Sequence, residues 1–222
     1  MSLRANKYKT AFACWIAMLI VLISGVFAIR LEPIVRLDRQ ILEWLAASRT
    51  VALDRFFTYV SCAGSNFVLL PLILALAVIL TIRKHIPEAI FLICSFVGAS
   101  AINNVAKSVI ARPRPNLFPS VIDIPAGFSF PSSHSVQITA FVLAVLLVLK
   151  VMTEVRWLIL PIVLGGSLIL LVCLSRLYLQ VHYPTDVVSG FLSALFWVVG
   201  LATLILPDRQ DHLRIRQSNL YM

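Results

Sequence analysis

The stretch PSSHSVQITAFVLAVLLVLKVMT, residues 131–153, carries both the fold and a piece of chemistry. From Val136 to Thr153 it is nearly all apolar. That meets the length a helix needs to cross a bilayer, about 17–25 residues. A surface helix of a soluble domain shows one apolar stripe; this run is apolar on every side, as a membrane span is. Just ahead of it stand Pro131, Ser132, Ser133 and His134. Serine is a preferred N-cap, so Ser132 is placed to cap the helix, with Ser133 and His134 in its first turn. First-turn N–H groups lack a helical acceptor and have the positive end of the helix dipole behind them, which makes a ready anion site. Taken alone, the segment also reads as an ordinary serine cap with a surface histidine.

Five further apolar runs lie outward from this one, at 11–29, 67–82, 88–106, 157–174 and 187–206. The run at 67–82 is short and extends backwards through Phe56, Phe57, Thr58, Tyr59 and Val60. Pro71 and Pro161 lie near the starts of their helices, where a missing N–H costs little. The chain is 60% hydrophobic and only 13% charged, more apolar than a soluble domain needs to be. The expected fold is all-α, a polytopic membrane bundle of six transmembrane helices forming a single domain over residues 1–222. The first run follows Arg4, Lys7 and Lys9, as a signal peptide would. A signal h-region is about 7–15 residues, shorter than this run, so an uncleaved first helix is expected.

Charge sets the expected orientation. Arg83, Lys84, Lys150, Arg156, Arg209, Arg214 and Arg216 fall on the same side as the N-terminal Arg4, Lys7 and Lys9. The positive-inside rule then places both termini in the cytoplasm and residues 107–134 and 175–186 on the outer side. The net charge of +9 does not point to nucleic acid, because the basic residues sit at the ends of apolar runs and form no stripe. Cys14, Cys62, Cys94 and Cys173 lie in or near apolar runs without metal-site spacing, so neither a disulfide nor a metal is expected. Residues 30–66 form the longest outer connection. Within them Ile41, Leu42, Trp44 and Leu45 alternate with polar residues at helical spacing, which reads as an amphipathic helix on the membrane surface. Such a helix covers the top of a bundle; a gate for lipid is the functional alternative. The polar tail after Pro207 reads as partly disordered.

Two more polar segments border these runs. His182-Tyr183-Pro184-Thr185-Asp186 opens the last helix, with Pro184 suited to its first position and Asp186 in its first turn. His182 and Asp186 are four residues apart, within reach across one turn. A carboxylate on one ring nitrogen fixes the tautomer and leaves the other free to attack. Lys107 and Arg176 lie at helix C-terminal ends, where cations are favourable whatever their function. Arg112-Pro113-Arg114-Pro115 is a stiff basic loop, and arginine grips phosphate oxygens in bidentate fashion. Alternate helix ends bring all of these to one membrane face. Two histidines, several cations and a helix N-terminus converging on one tetrahedral anion suit metal-free phosphoryl transfer, which relies on positioning and charge.

The order Lys107-x6-Arg114-Pro115, Pro131-Ser132-Ser133-His134, Ser175-Arg176-x5-His182-x3-Asp186 resembles the type 2 phosphatidic acid phosphatase superfamily, which includes bacterial acid phosphatases and vanadium haloperoxidases. The resemblance implies that His182 attacks phosphorus and that Asp186 orients and charges it. His134 then protonates the leaving oxygen and afterwards helps activate water. Lys107, Arg114 and Arg176 hold phosphate oxygens, and Ser132 and the backbone at Ser133 complete the cradle. Ser133 stands where the family pattern has glycine. Arg112-Pro113 is a second Arg-Pro; the six-residue spacing selects Arg114, and Arg112 becomes an additional phosphate contact.

The function expected is that of a bacterial inner-membrane lipid phosphatase without cofactor, acting at the outer face. Undecaprenyl diphosphate is the first choice of substrate, ahead of phosphatidylglycerol phosphate and phosphatidic acid; phosphate transfer onto lipid A is a further alternative. The expected partners are a lipid phosphate and the surrounding membrane lipids. A transporter would carry its ionisable groups near the bilayer midplane on broken helices, whereas here they sit at run ends. A non-catalytic lipid-binding relative would lack one of the histidines.

Overall fold

The structure, a computed structural model, describes residues 2–206. Arg209, Arg214 and Arg216, and the expected disordered tail, lie outside the described residues. Helices run over Ser2–Ala28 (α1), Glu32–Ala47 (α2), Val51–Ala63 (α3), Asn66–Ile82 (α4), Ile86–Ile110 (α5), Ser133–Met152 (α6), Ile159–Tyr178 (α7) and Pro184–Ile205 (α8). Among the described residues, six stretches are long and apolar enough to cross a bilayer. They are Asn6–Ala28, Val51–Ile82, Ile86–Ile110, Ser133–Met152, Arg156–Tyr178 and Pro184–Ile205.

The second stretch begins at Val51, well before the apolar run at 67–82. The reason is local: the Thr50 hydroxyl caps α3 by accepting the Leu53 N–H at 3.2 Å, and α3 meets α4 across Gly64 and Ser65. The outer connection read at 30–66 is therefore essentially α2 with short flanks. In α2, at 16 residues and amphipathic, Leu42 is buried while Glu32, Arg36, Arg39 and Glu43 are exposed.

α6 is the central helix, packed by α4, α5, α7 and α8, while α1 lies along α8. The apolar core follows these contacts. Val136, Ala140, Ala144 and Val148 of α6 pack with Phe91, Leu92 and Ala99 of α5 and Ala194 and Val198 of α8. Trp15 of α1 stacks on Trp197 of α8 at 5.7 Å between ring centroids. The outer faces are apolar too: Phe67 is 95% exposed, and Val109, Leu160 and Val163 are also turned outward. Such a surface is a liability in water and the right one for lipid.

Three helix ends make the polar end of the bundle. α5 stops at Ile110 because Ala111 turns left-handed (φ 49°) and Pro113 follows. α6 begins where the fully buried Ser132 caps it, its hydroxyl accepting the Ser135 N–H at 3.5 Å. α8 begins at Pro184, and Asp186 Oδ2 accepts the Tyr183 N–H at 2.9 Å.

Candidate active site

The five-residue turn between α7 and α8 carries His182. It is closed on Arg176, whose carbonyl accepts the N–H groups of Val181 and His182, both at 3.3 Å. Gln180 ties the turn to α2, its Nε2 donating to the Leu42 carbonyl at 3.0 Å. His182 is only 2% exposed, and its Nδ1 lies 3.5 Å from Asp186 Oδ2. That distance suits a charge pair and is long for a strong hydrogen bond.

The other ring nitrogen decides the tautomer. Arg114 Nη1 lies 3.1 Å from His182 Nε2, and an arginine can only donate. Nε2 is therefore the unprotonated nitrogen, its lone pair accepting from Arg114, and the ring proton resides on Nδ1, facing Asp186. Burial pushes His182 down to about 3, with the Asp186 carboxylate pulling the other way. The imidazole is thus neutral at ordinary pH. Burial also lowers Arg114 from its ordinary value, against the pull of Asp186, but an arginine remains charged. Arg114 is held in place by the carbonyls of Gly127 and Val181.

The cations gather around this ring. Arg176, 2% exposed, donates from Nη1 to Ser61 Oγ of α3, and its Nε has no protein partner. Among the described residues no carboxylate pairs with Arg176. A buried unpaired ion costs on the order of several kcal/mol, and a guanidinium held this way is able to take an anion that is not part of the chain. Lys107 Nζ donates to the carbonyls of Phe128 and Ser129 at 2.7 and 3.2 Å. It also lies within electrostatic reach of Arg114, Arg176 and Asp186. His134, in the first turn of α6, lies within electrostatic reach of Arg176, His182, Arg114 and Lys107. The structure thus brings His134, His182, Asp186, Lys107, Arg114 and Arg176 together.

The loop before α6 is tied to α8. The Ser132 N–H donates to the Asp186 carbonyl at 3.0 Å, and a Cβ at Gly190 would come within 2.9 Å of the Ser132 carbonyl. Only glycine lets α8 approach this loop so closely. The Ser132 hydroxyl is engaged in the cap and the Ser133 hydroxyl accepts from Asn103 Nδ2 at 2.9 Å, so both serines shape the loop. The N–H groups of Ser133 and His134 have no carbonyl of their own helix to bond, which leaves them able to donate to an anion.

Arg112 is placed differently from the expectation of an additional phosphate contact. Its Nη1 is 2.6 Å from Asp186 Oδ1 and its Nη2 is 3.0 Å from Asp38 Oδ2. Two carboxylates therefore take up its guanidinium. Asp38, Ser61 and Asn103 support the site without belonging to any of the three segments, and Thr185 supports it from within the third. The signal available for Asp38 is an aspartate on the same face of α2 as Leu42, four residues on.

Comparison with known proteins gives this bundle its class, the membrane-bound lipid phosphatases. The chain belongs to the PAP2 superfamily, whose profile matches residues 88–210. It is 28% identical over 198 residues to an undecaprenyl-diphosphatase of Sulfolobus acidocaldarius, covering 86% of this chain and 90% of that protein. It is 29% identical over 188 residues to phosphatidylglycerophosphatase B of Bacillus subtilis, covering 82% and 92%. The crystal structure of a transmembrane PAP2 type phosphatidylglycerolphosphate phosphatase from Bacillus subtilis superimposes with a TM-score of 0.73. The two are 26% identical over 85% of this chain and 92% of that one. Aquifex aeolicus LpxE, at 23% identity and a TM-score of 0.57, shares the fold. The chain is a multi-pass membrane enzyme that hydrolyses lipid phosphates.

Proposed function

We propose that the reaction runs through a phosphohistidine on His182 and that no metal takes part. The observation that carries this reading is the pair of contacts on the His182 ring. Nδ1 faces Asp186, and Nε2 faces a guanidinium that can hold a phosphate oxygen. In the first step the Nε2 lone pair forms a P–N bond as the P–O bond to the lipid breaks. His134, protonated, gives its proton to the leaving oxygen. The imidazole becomes cationic and Asp186 balances it. In the second step His134 takes a proton from water, the water oxygen bonds to phosphorus, and Nε2 departs with the electrons of the P–N bond. Lys107, Arg114, Arg176 and the N–H groups at the start of α6 hold the equatorial oxygens, where charge is greatest in the transition state.

The substrate we propose is undecaprenyl diphosphate, hydrolysed at the outer face of a bacterial inner membrane. The undecaprenyl-diphosphatase relative, matched over most of both chains, supports that choice. Phosphatidylglycerol phosphate is the second reading, supported by the Bacillus subtilis enzyme and by the closeness of the superposed fold. Phosphate release from the purified protein should be compared across undecaprenyl diphosphate, phosphatidylglycerol phosphate and phosphatidic acid, with and without EDTA. The diphosphate should show the highest kcat/KM, and EDTA should leave it unchanged. Preference for phosphatidylglycerol phosphate would overturn the substrate, and loss of activity in EDTA would overturn the metal-free chemistry.

A further inference from the structure

Arg112 lies beside the nucleophile's carboxylate without reaching His182, and what holds it there is an aspartate from a distant part of the chain. Its guanidinium sits between Asp186 and Asp38, with its centre 3.9 Å from the centroid of the Tyr183 ring. Thr185 completes the cluster. Its hydroxyl accepts from Arg112 Nη1 and donates to Asp38 Oδ2, both at 2.7 Å, and its N–H donates to Asp38 Oδ1 at 3.0 Å. The side chains of Asp38, Asp186 and Arg112 are 2%, 0% and 9% exposed. Asp38 is the inward-facing ionisable residue of α2; Glu32, Arg36, Arg39 and Glu43 all face outward.

The charge balance gives the cluster its meaning. Arg112 paired with Asp186 alone would make a neutral pair on the carboxylate that must face His182. With Asp38 sharing the same guanidinium, two carboxylates and one arginine leave one net negative charge. That is the charge needed opposite an imidazole that turns cationic when its Nε2 takes the phosphoryl group. Arg112 also fixes Asp186 by Oδ1, so that Oδ2 is the oxygen turned to His182 Nδ1.

We propose that Asp38 is a positioning residue for phosphoryl transfer, acting from α2 through Arg112 and Thr185 on Asp186. The proposal rests on the phosphohistidine reading of His182. It makes α2 part of the catalytic apparatus, since the helix holds the aspartate that shares Arg112.

The test uses the full chain in detergent and measures kcat and KM on the lipid phosphate the protein hydrolyses, with inorganic phosphate as a competitive inhibitor that reports on the cradle. Asp38→Asn keeps the shape and removes the charge. It should lower kcat about 10-fold, as expected for coupled neighbours. KM and inhibition by phosphate should stay within about 2-fold, because Lys107, Arg114 and Arg176 are untouched. Asp38→Asn in an Arg112→Gln background should cost nothing further, since the charge it shares is gone. If Asp38→Asn elutes aggregated, Thr185→Val takes its place: it keeps the N–H to Asp38 and should show a smaller loss, again in kcat alone. Wild-type kcat in the decisive variant, a loss that appears equally in phosphate inhibition, or multiplicative losses in the double variant would each overturn the proposal. Turnover by His182→Ala would instead remove the phosphohistidine reading; an inactive His182→Ala beside a fully active Asp38→Asn removes only this one.

Discussion

His182 is a residue whose surroundings leave one chemical state open to it. Burial disfavours the imidazolium, Arg114 claims the Nε2 lone pair, and the single ring proton faces Asp186. The sign of the pH effect follows. The ordinary histidine value is about 6.5, and the folded site lies far below it. As pH falls through that window an unfolded chain takes up a proton that the folded site refuses, so the contribution of His182 to stability declines toward acid. In nitrogen-15 NMR of histidine-labelled protein, assigned with His182→Ala, this ring should remain neutral with its proton on Nδ1 from pH 7.5 to 5. A His182 signal that titrates near 6.5, or carries its proton on Nε2, would contradict the geometry. The same scale shows where sequence reading stops. His182, Asp186, Arg114 and Arg176 are legible because their spacing within a segment mirrors a helix turn or a stiff loop. The partner of Arg112 is not, because Asp38 lies 74 residues away and meets it only when α2 folds over the bundle end.

At the level of elements, most helix ends are written in the local sequence. Ser132 caps α6 and Pro184 starts α8 as their residue types dictate. The start of α3 at Val51 is less legible, because the polar residues Asp54 and Arg55 interrupt the apolar pattern there. Asp54 is satisfied by tertiary partners: it accepts from Tyr178 Oη at 2.8 Å and pairs with Arg49 at 3.3 Å. The approach of α8 to the loop before α6 is also set by packing, at Gly190. Gly190→Ala puts a methyl group against the Ser132 carbonyl, which is backbone and must move. A misplacement of about 1 Å at an active site can cost roughly 100-fold in rate. Gly190→Ala should therefore lose between about 10- and 100-fold in kcat/KM while the protein still elutes as a folded species in detergent. Wild-type kinetics would show that the loop is not held by this contact.

For the whole molecule, six apolar stretches and a polar end were both present in the residue pattern, and the structure joins them by placing alternate helix ends together. Which face of the membrane that end occupies is a matter of charge. Arg83 and Lys84 between α4 and α5, Lys150 in the last turn of α6 and Arg156 just after it would, by the positive-inside rule, put the opposite end in the cytoplasm. In spheroplasts, with native cysteines replaced, Asn116→Cys should react with a membrane-impermeant thiol reagent and Gln217→Cys should not. Gln217 lies outside the described residues, whereas Asn116 is exposed in the loop between α5 and α6. The reverse pattern would turn the enzyme to the cytoplasm and remove recycling of an outward-facing carrier lipid. Passage of phosphate through the His182 ring requires a covalent phosphohistidine during turnover. Its most direct test is rapid mixing of the enzyme with a lipid bearing a labelled phosphate, quenching in alkali, which spares phosphohistidine, and locating the label by peptide mass spectrometry. Label should appear on His182 within the first turnover and be absent from His182→Ala; label on another residue, or turnover by His182→Ala, would rule this route out.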